Sequence, residues 1–174
     1  MDAATSLCFE LGFAATTIEA IAARAGAGKQ TIYRWWPSKA AILIEVAEIQ
    51  RDAGAGFPDT GDIRADLRTQ TGNVLRLFAS DFGGIWRGLI AAAQNDKAAA
   101  DGVRRILRVS IDECIGRLEK GVKDGQLRPG LDLELVVELI YGPMYHTWLL
   151  RTRPVDESYM DQVLDALAPA LFVT

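Results

Sequence analysis

Sulfur and imidazole are scarce in this chain: 174 residues include two cysteines and one histidine. Cys8 and Cys114 lie far apart and form no Cys-x-x-Cys pair. Each sits among apolar residues of helical pattern, where a free cysteine serves as a small hydrophobe. His146 alone cannot supply a zinc site, so no metal is expected. Long apolar runs are also missing. None reaches the roughly 18 residues of a membrane helix, and the richest stretch, Ala40 to Ile49, is broken by Glu45 and Glu48. No basic residue precedes Arg24 and Asp2 stands near the start, so neither a secretory signal nor a transit peptide is expected, and the expected location is cytoplasmic. No nucleophile motif or phosphate loop occurs, which argues against an enzyme and against a bound cofactor.

Period-2 alternation never persists, while helical periodicity is nearly continuous, so the fold class expected is all-α with about nine helices. The first covers about Asp2 to Leu11 and stops at Gly12. Thr16 or Thr17 caps the second, which buries Ile18, Ile21 and Ala22 and ends near Gly26. A short third helix runs from about Lys29 to Trp35. Trp36-Pro37-Ser38 breaks the chain, and Ser38 caps a fourth helix reaching about Arg51. Beyond the glycine- and proline-rich segment 52–61 come about Asp62 to Ser80, Gly84 to Gln94, Ala98 to Asp124, Asp132 to Arg151 and Glu157 to Phe172. The expected organisation is an N-terminal headpiece over residues 1–51 and a helical core over 52–174.

The net charge of −4 looks unsuited to nucleic acid, but the local distribution reverses that. Between Ala20 and Ile44 stand Arg24, Lys29, Arg34 and Lys39 and no acid, which leaves the rest of the chain with 15 bases against 23 acids. A basic window in an acidic body suggests one surface that approaches phosphate and another that repels it. In that window Ala25-Gly26-Ala27-Gly28 joins two short helices, the pattern of a helix-turn-helix. Ile18, Ile21, Ala22 and Ile32 can pack the two together. The outer face of the third helix is left to Lys29, Gln30, Thr31, Tyr33 and Arg34: long donors for base edges, a hydroxyl and a phenol for phosphates.

Residues 12–43, GFAATTIEAIAARAGAGKQTIYRWWPSKAAIL, resemble the DNA-binding region of the tetracycline-repressor (TetR) family. Gly-aromatic, the Thr-Thr cap, an apolar second helix, a turn ending in a small residue, Thr-apolar-Tyr, an aromatic, a Pro-Ser-Lys step and an apolar fourth helix follow in order without gaps. The resemblance implies phosphate contacts for Thr17 and Tyr33. It sets Lys39 at the start of the fourth helix, where charge and helix terminus can grip a phosphate together. Lys29, Gln30, Thr31 and Arg34 would face bases or adjoining phosphates. Trp35 would pack on sugar or backbone or else in the core, whereas Trp36 is expected to be buried. Family members usually carry a basic arm and another turn or two before the residues matching Asp2-Ala3-Ala4. Either the natural start precedes Met1 or those arm contacts are absent.

In the core, Met160, Leu164, Leu167 and Leu171 are spaced 4-3-4 like a coiled-coil seam. The preceding helix is apolar nearly all round and must bury more than one side, with a kink expected at Gly142-Pro143. A second subunit would cover the outer side, giving a homodimer interface through Val137, Met144, Trp148, Met160, Leu164, Leu167 and Leu171. The resemblance points to the same two helices and implies a small-molecule chamber within each subunit. Candidate lining residues are Thr71, Phe78, Phe82, Trp86, Ser110, Cys114, Tyr141 and Tyr145, an apolar set dotted with hydroxyls. The expected function is a DNA-binding repressor released from a palindromic operator by a small, largely apolar effector. A helical small-molecule-binding protein with weak or lost DNA binding is the alternative.

Overall fold

The computed structural model describes residues 2–54 and 56–173, all helix and loop apart from an isolated bridge between Leu127 and Phe172. Nine helices occur among the described residues: α1 (Asp2–Ala15), α2 (Ile18–Ala25), α3 (Lys29–Trp35), α4 (Lys39–Gly54), α5 (Ile63–Ala79), α6 (Asp81–Ala93), α7 (Lys97–Lys123), α8 (Leu133–Leu150) and α9 (Glu157–Leu171). Local chemistry sets their ends. Gly12 takes φ 79° and ψ 163°, outside the range of L-residues, and interrupts α1 where the sequence predicts its stop. Thr17 caps α2 by accepting from the Ala20 N–H at 3.1 Å, and left-handed Gly26 closes it. Ser38, Asp132 and Asp156 accept likewise from Ala41, Leu135 and Tyr159 at the starts of α4, α8 and α9.

One boundary departs from the sequence reading. α6 begins at Asp81, three residues early, because Ser80 caps it and Gly83 fits inside the turn. A Cβ on Gly83 would lie 2.0 Å from the Phe78 carbonyl oxygen, so this glycine permits a close approach rather than breaking a helix. α8 runs through Gly142-Pro143 as one element, close to the span read from the sequence, although the proline forfeits a backbone donor.

By compactness the chain divides into two units, Met1–Gly54 with Leu77–Leu107, and Ala55–Arg76 with Arg108–Thr174. The first unit is wider than the headpiece drawn over 1–51. Its α6 packs on both α1 and α4, and α7 contributes Gly102, whose missing Cβ makes room for Ile44. One of its apolar clusters joins Leu7, Ile18, Ile21, Ile32 and Ile42, with Trp36 packed against it. Arg24 ties α2 to α1 through two 2.7 Å bonds to Glu10.

The second unit is built around Ile63, Leu67, Leu118, Leu127, Ile140 and Leu164. It also holds a buried ion pair. Arg117 donates from Nε and Nη2 to the Asp66 carboxylate at 2.9 and 2.5 Å. Their side chains are 4% and 0% exposed. Asp66 also accepts from the Thr60 hydroxyl and N–H, which fixes the segment before α5.

Candidate nucleic-acid interface

Ile32 is the one buried residue of α3, and its burial against α2 sets the rotation of the whole helix. With Ile32 turned inward, Lys29, Gln30, Thr31, Tyr33, Arg34 and Trp35 are all exposed, as is Thr17 at the start of α2. Trp35 is 66% exposed, so it contributes little to the core and is available on the surface. Trp36 is half-buried, and its indole N–H donates to Glu45 at 2.6 Å, anchoring the α3–α4 connection to α4. Lys39 is the first residue of α4, half-buried, one position past the Ser38 cap. Two cation–aromatic pairs lie along α3. The Lys29 ammonium sits 5.7 Å from the Tyr33 ring centre and the Arg34 guanidinium 5.6 Å from that of Trp35. The result is an exposed set of donors on a helix seated by one isoleucine.

Glu19 is the residue that the sequence reading passed over, since the acid-free window opens one position after it. Its carboxylate meets the Lys29 ammonium at 2.5 Å, bridging α2 and α3 on the exposed side. The signal was available in sequence only as an acid in the first turn of a helix.

Two matches cover most of the length. Residues 1–46 match the family described as bacterial regulatory proteins, tetR family, and residues 57–167 match the tetracyclin repressor-like C-terminal domain. The chain belongs to the TetR family. An uncharacterized HTH-type transcriptional regulator, YdeS of Bacillus subtilis, is 37% identical over 168 residues, covering 95% of this chain and 85% of that protein. The crystal structure of the TetR family transcription regulator SCO0332 superposes with a TM-score of 0.80 at 33% identity, covering 95% of this chain and 92% of that one. FadR from Bacillus subtilis, solved in complex with stearoyl-CoA, shares the fold with a TM-score of 0.70 at 20% identity, covering 95% and 94%. The chain is thus a helix-turn-helix transcriptional regulator.

The residues expected at the dimer seam pack largely within their own subunit. Val137, Met144, Met160, Leu164 and Leu171 are buried inside a single subunit, and Leu167 packs on the same core. Trp148 is half-buried and meets Tyr145 edge-on at 6.2 Å. The outward side of α8 carries instead Leu135, Leu139 and Leu150, exposed by 49, 44 and 63%, with exposed Gly142 and His146 between them.

The eight pocket candidates fall in both units. Phe78, Phe82 and Trp86 belong to the first, where Phe82 and Trp86 stack at 5.9 Å. Thr71, Ser110, Cys114, Tyr141 and Tyr145 belong to the second. Thr71 spends its hydroxyl on the Arg68 carbonyl at 3.1 Å. Cys114 is buried and interacts with the Tyr141 hydroxyl; burial pushes its thiol up to about 12 and Tyr141 well above its usual value. Both stay neutral and hydrogen-bonding at physiological pH. A cleft of about 340 Å³ in the second unit is lined by Arg68, Thr69, Thr71, Gly72, Arg76, Glu157 and Asp161. It is polar, and Thr71 is the only one of the eight candidates on its wall.

Proposed function

We propose that this regulator binds a palindromic operator as a homodimer, with α3 in the major groove, and is released by a small, largely apolar effector. The single observation carrying the DNA half is the rotation imposed by buried Ile32, which turns every polar residue of α3 outward. Thr17, Tyr33 and Lys39 serve phosphates, and Trp35 rests on sugar or backbone. Lys29, Gln30, Thr31 and Arg34 face base edges or adjoining phosphates. The headpiece spans residues 1–51 and the regulatory core 52–174. We place the dimer contact on the outward side of α8, along Leu135, Leu139, Gly142, His146 and Leu150, a 4-3-4-4 spacing that suits helix pairing. Three leucines aligned on one exposed stripe are more than the scattered apolar residues normal for a surface.

The experiment is a gel-shift titration against a pool of palindromic duplexes. Lys39→Ala should weaken all sequences about equally, whereas changes at Lys29 or Gln30 should shift the preferred sequence. Equal weakening by all three changes would contradict base reading by α3.

For the effector, the neutral Cys114–Tyr141 pair within the second unit's apolar cluster supports a ligand with one polar group on an apolar body. Linkage requires effector and operator to weaken each other by the same factor. Calorimetry of apolar candidate ligands with and without operator checks this; a ligand whose affinity ignores the operator is not the effector.

A further inference from the structure

We propose that Glu19 is an internal competitor for DNA phosphate and a specificity determinant of the recognition surface. The proposal rests on the DNA-binding reading above. Glu19 is exposed, in the first turn of α2, and holds the Lys29 ammonium at 2.5 Å. Its carboxyl is kept below the ordinary range, first by Lys29 and then by its own backbone N–H and the Thr17 hydroxyl. An ammonium, an amide at a helix start and a threonine hydroxyl are the donors that proteins present to phosphate. Here a carboxylate already holds the ammonium.

A phosphate that arrives must take Lys29 from Glu19 and then lie beside the displaced carboxylate, a like-charge contact. Non-specific binding lives almost entirely on phosphate neutralisation, so the whole penalty falls on it. At an operator Lys29 can turn to a guanine edge, where no phosphate contests the carboxylate. Glu19 therefore lowers affinity for arbitrary DNA more than for the operator.

A simpler role is also available to this acid, because a carboxylate in the first turn stabilises a helix against its dipole. The two roles separate in measurement. Fluorescence anisotropy would follow wild type, Glu19→Gln, Lys29→Ala and the double variant on operator and on a scrambled duplex across a salt series, with thermal melts alongside. Arg34 and Lys39 give the wild-type dimer about four phosphate charges, and Glu19→Gln releases one more per subunit. The slope of log affinity on log salt for the scrambled duplex should steepen from roughly −3.6 to roughly −5.4, at −0.9 per phosphate. Affinity for that duplex should rise several-fold, the operator preference should narrow, and Lys29→Ala should erase both changes. An unchanged slope, a gain that persists without Lys29, or a lower melting temperature with both duplexes weakened alike would overturn the proposal. Failure of the wild type to bind any duplex would instead overturn the DNA-binding reading itself.

Discussion

Asp66→Ala should destabilise the protein by about 3–5 kcal/mol, the cost of leaving a buried charge without its partner. Arg117 is the charge in question: its side chain is 4% exposed, and its Nη1 has no hydrogen-bond partner among the described residues. Asp59, at 3.6 Å, is too far for a good bond and is itself exposed. The loss should lower the melting midpoint by roughly 10 °C for a chain of this length. Replacing both partners, as Asp66→Leu with Arg117→Met, should recover much of it, because the desolvation cost disappears with the pair. A fall below about 1 kcal/mol in the single variant would mean that Arg117 escapes to solvent, against its burial.

The same pair gives the stability a sign in pH. Burial by itself raises the Asp66 carboxyl, but hydrogen bonds from Thr60 and Arg117 outweigh it, and the net position is below the ordinary range. A carboxyl lowered on folding contributes its stabilisation above its unfolded pKa, about 4, and loses it as pH falls through the folded value. The wild type should therefore lose this increment in acid below about pH 4, while Asp66→Ala, lacking the group, should not.

Leu139→Glu should convert the regulator to a monomer and reduce operator affinity by two orders of magnitude or more. In the proposed dimer Leu139 would face its counterpart, and two carboxylates enclosed there would each be buried unpaired. At about 1.4 kcal/mol per tenfold, even the lower end of that cost exceeds 100-fold. Operator binding falls with the dimer because both half-sites, about 34–36 Å apart, must be engaged together. Leu139 is 44% exposed in the single subunit, so the helical fold should survive, which circular dichroism would show. Sedimentation of a dimer unaffected by Leu139→Glu would place the interface elsewhere.

Much of this molecule is readable from local sequence because its determinants are local. Thr17, Ser38, Asp132 and Asp156 cap helices by reaching three residues ahead, and Gly12 and Gly26 adopt backbone angles that favour glycine. The exposed side of α3 follows from the place of Ile32 in a 3.6-residue period. Other features depend on what a helix packs against, which periodicity does not state. α8 is apolar on both sides, so its pattern fits either face inward. The structure turns Val137 and Met144 in and Leu135 and Leu139 out. On α9 the 4-3-4 spacing is plain in the sequence, and Leu164 and Leu171 pack into their own subunit's core. A boundary at residue 51 follows the chain, whereas compactness follows the packing of α6 on α1 and α4. Asp66 and Arg117 are 51 positions apart and carry no mutual signal in the sequence. Glu19 was legible only as a helix-start acid until folding brought Lys29 to it.

The central claim is that α3 and the start of α4 form the DNA-reading surface of a two-fold dimer. Selection from randomised duplexes with the wild-type protein tests it most directly, with the Tyr33→Ala, Lys39→Ala double variant measured on whatever is recovered. The account predicts an enriched palindrome of two half-sites about one helical turn apart, with binding that weakens steeply as salt rises and collapses in the double variant. No enrichment, salt-independent binding, or full affinity in the double variant would contradict it.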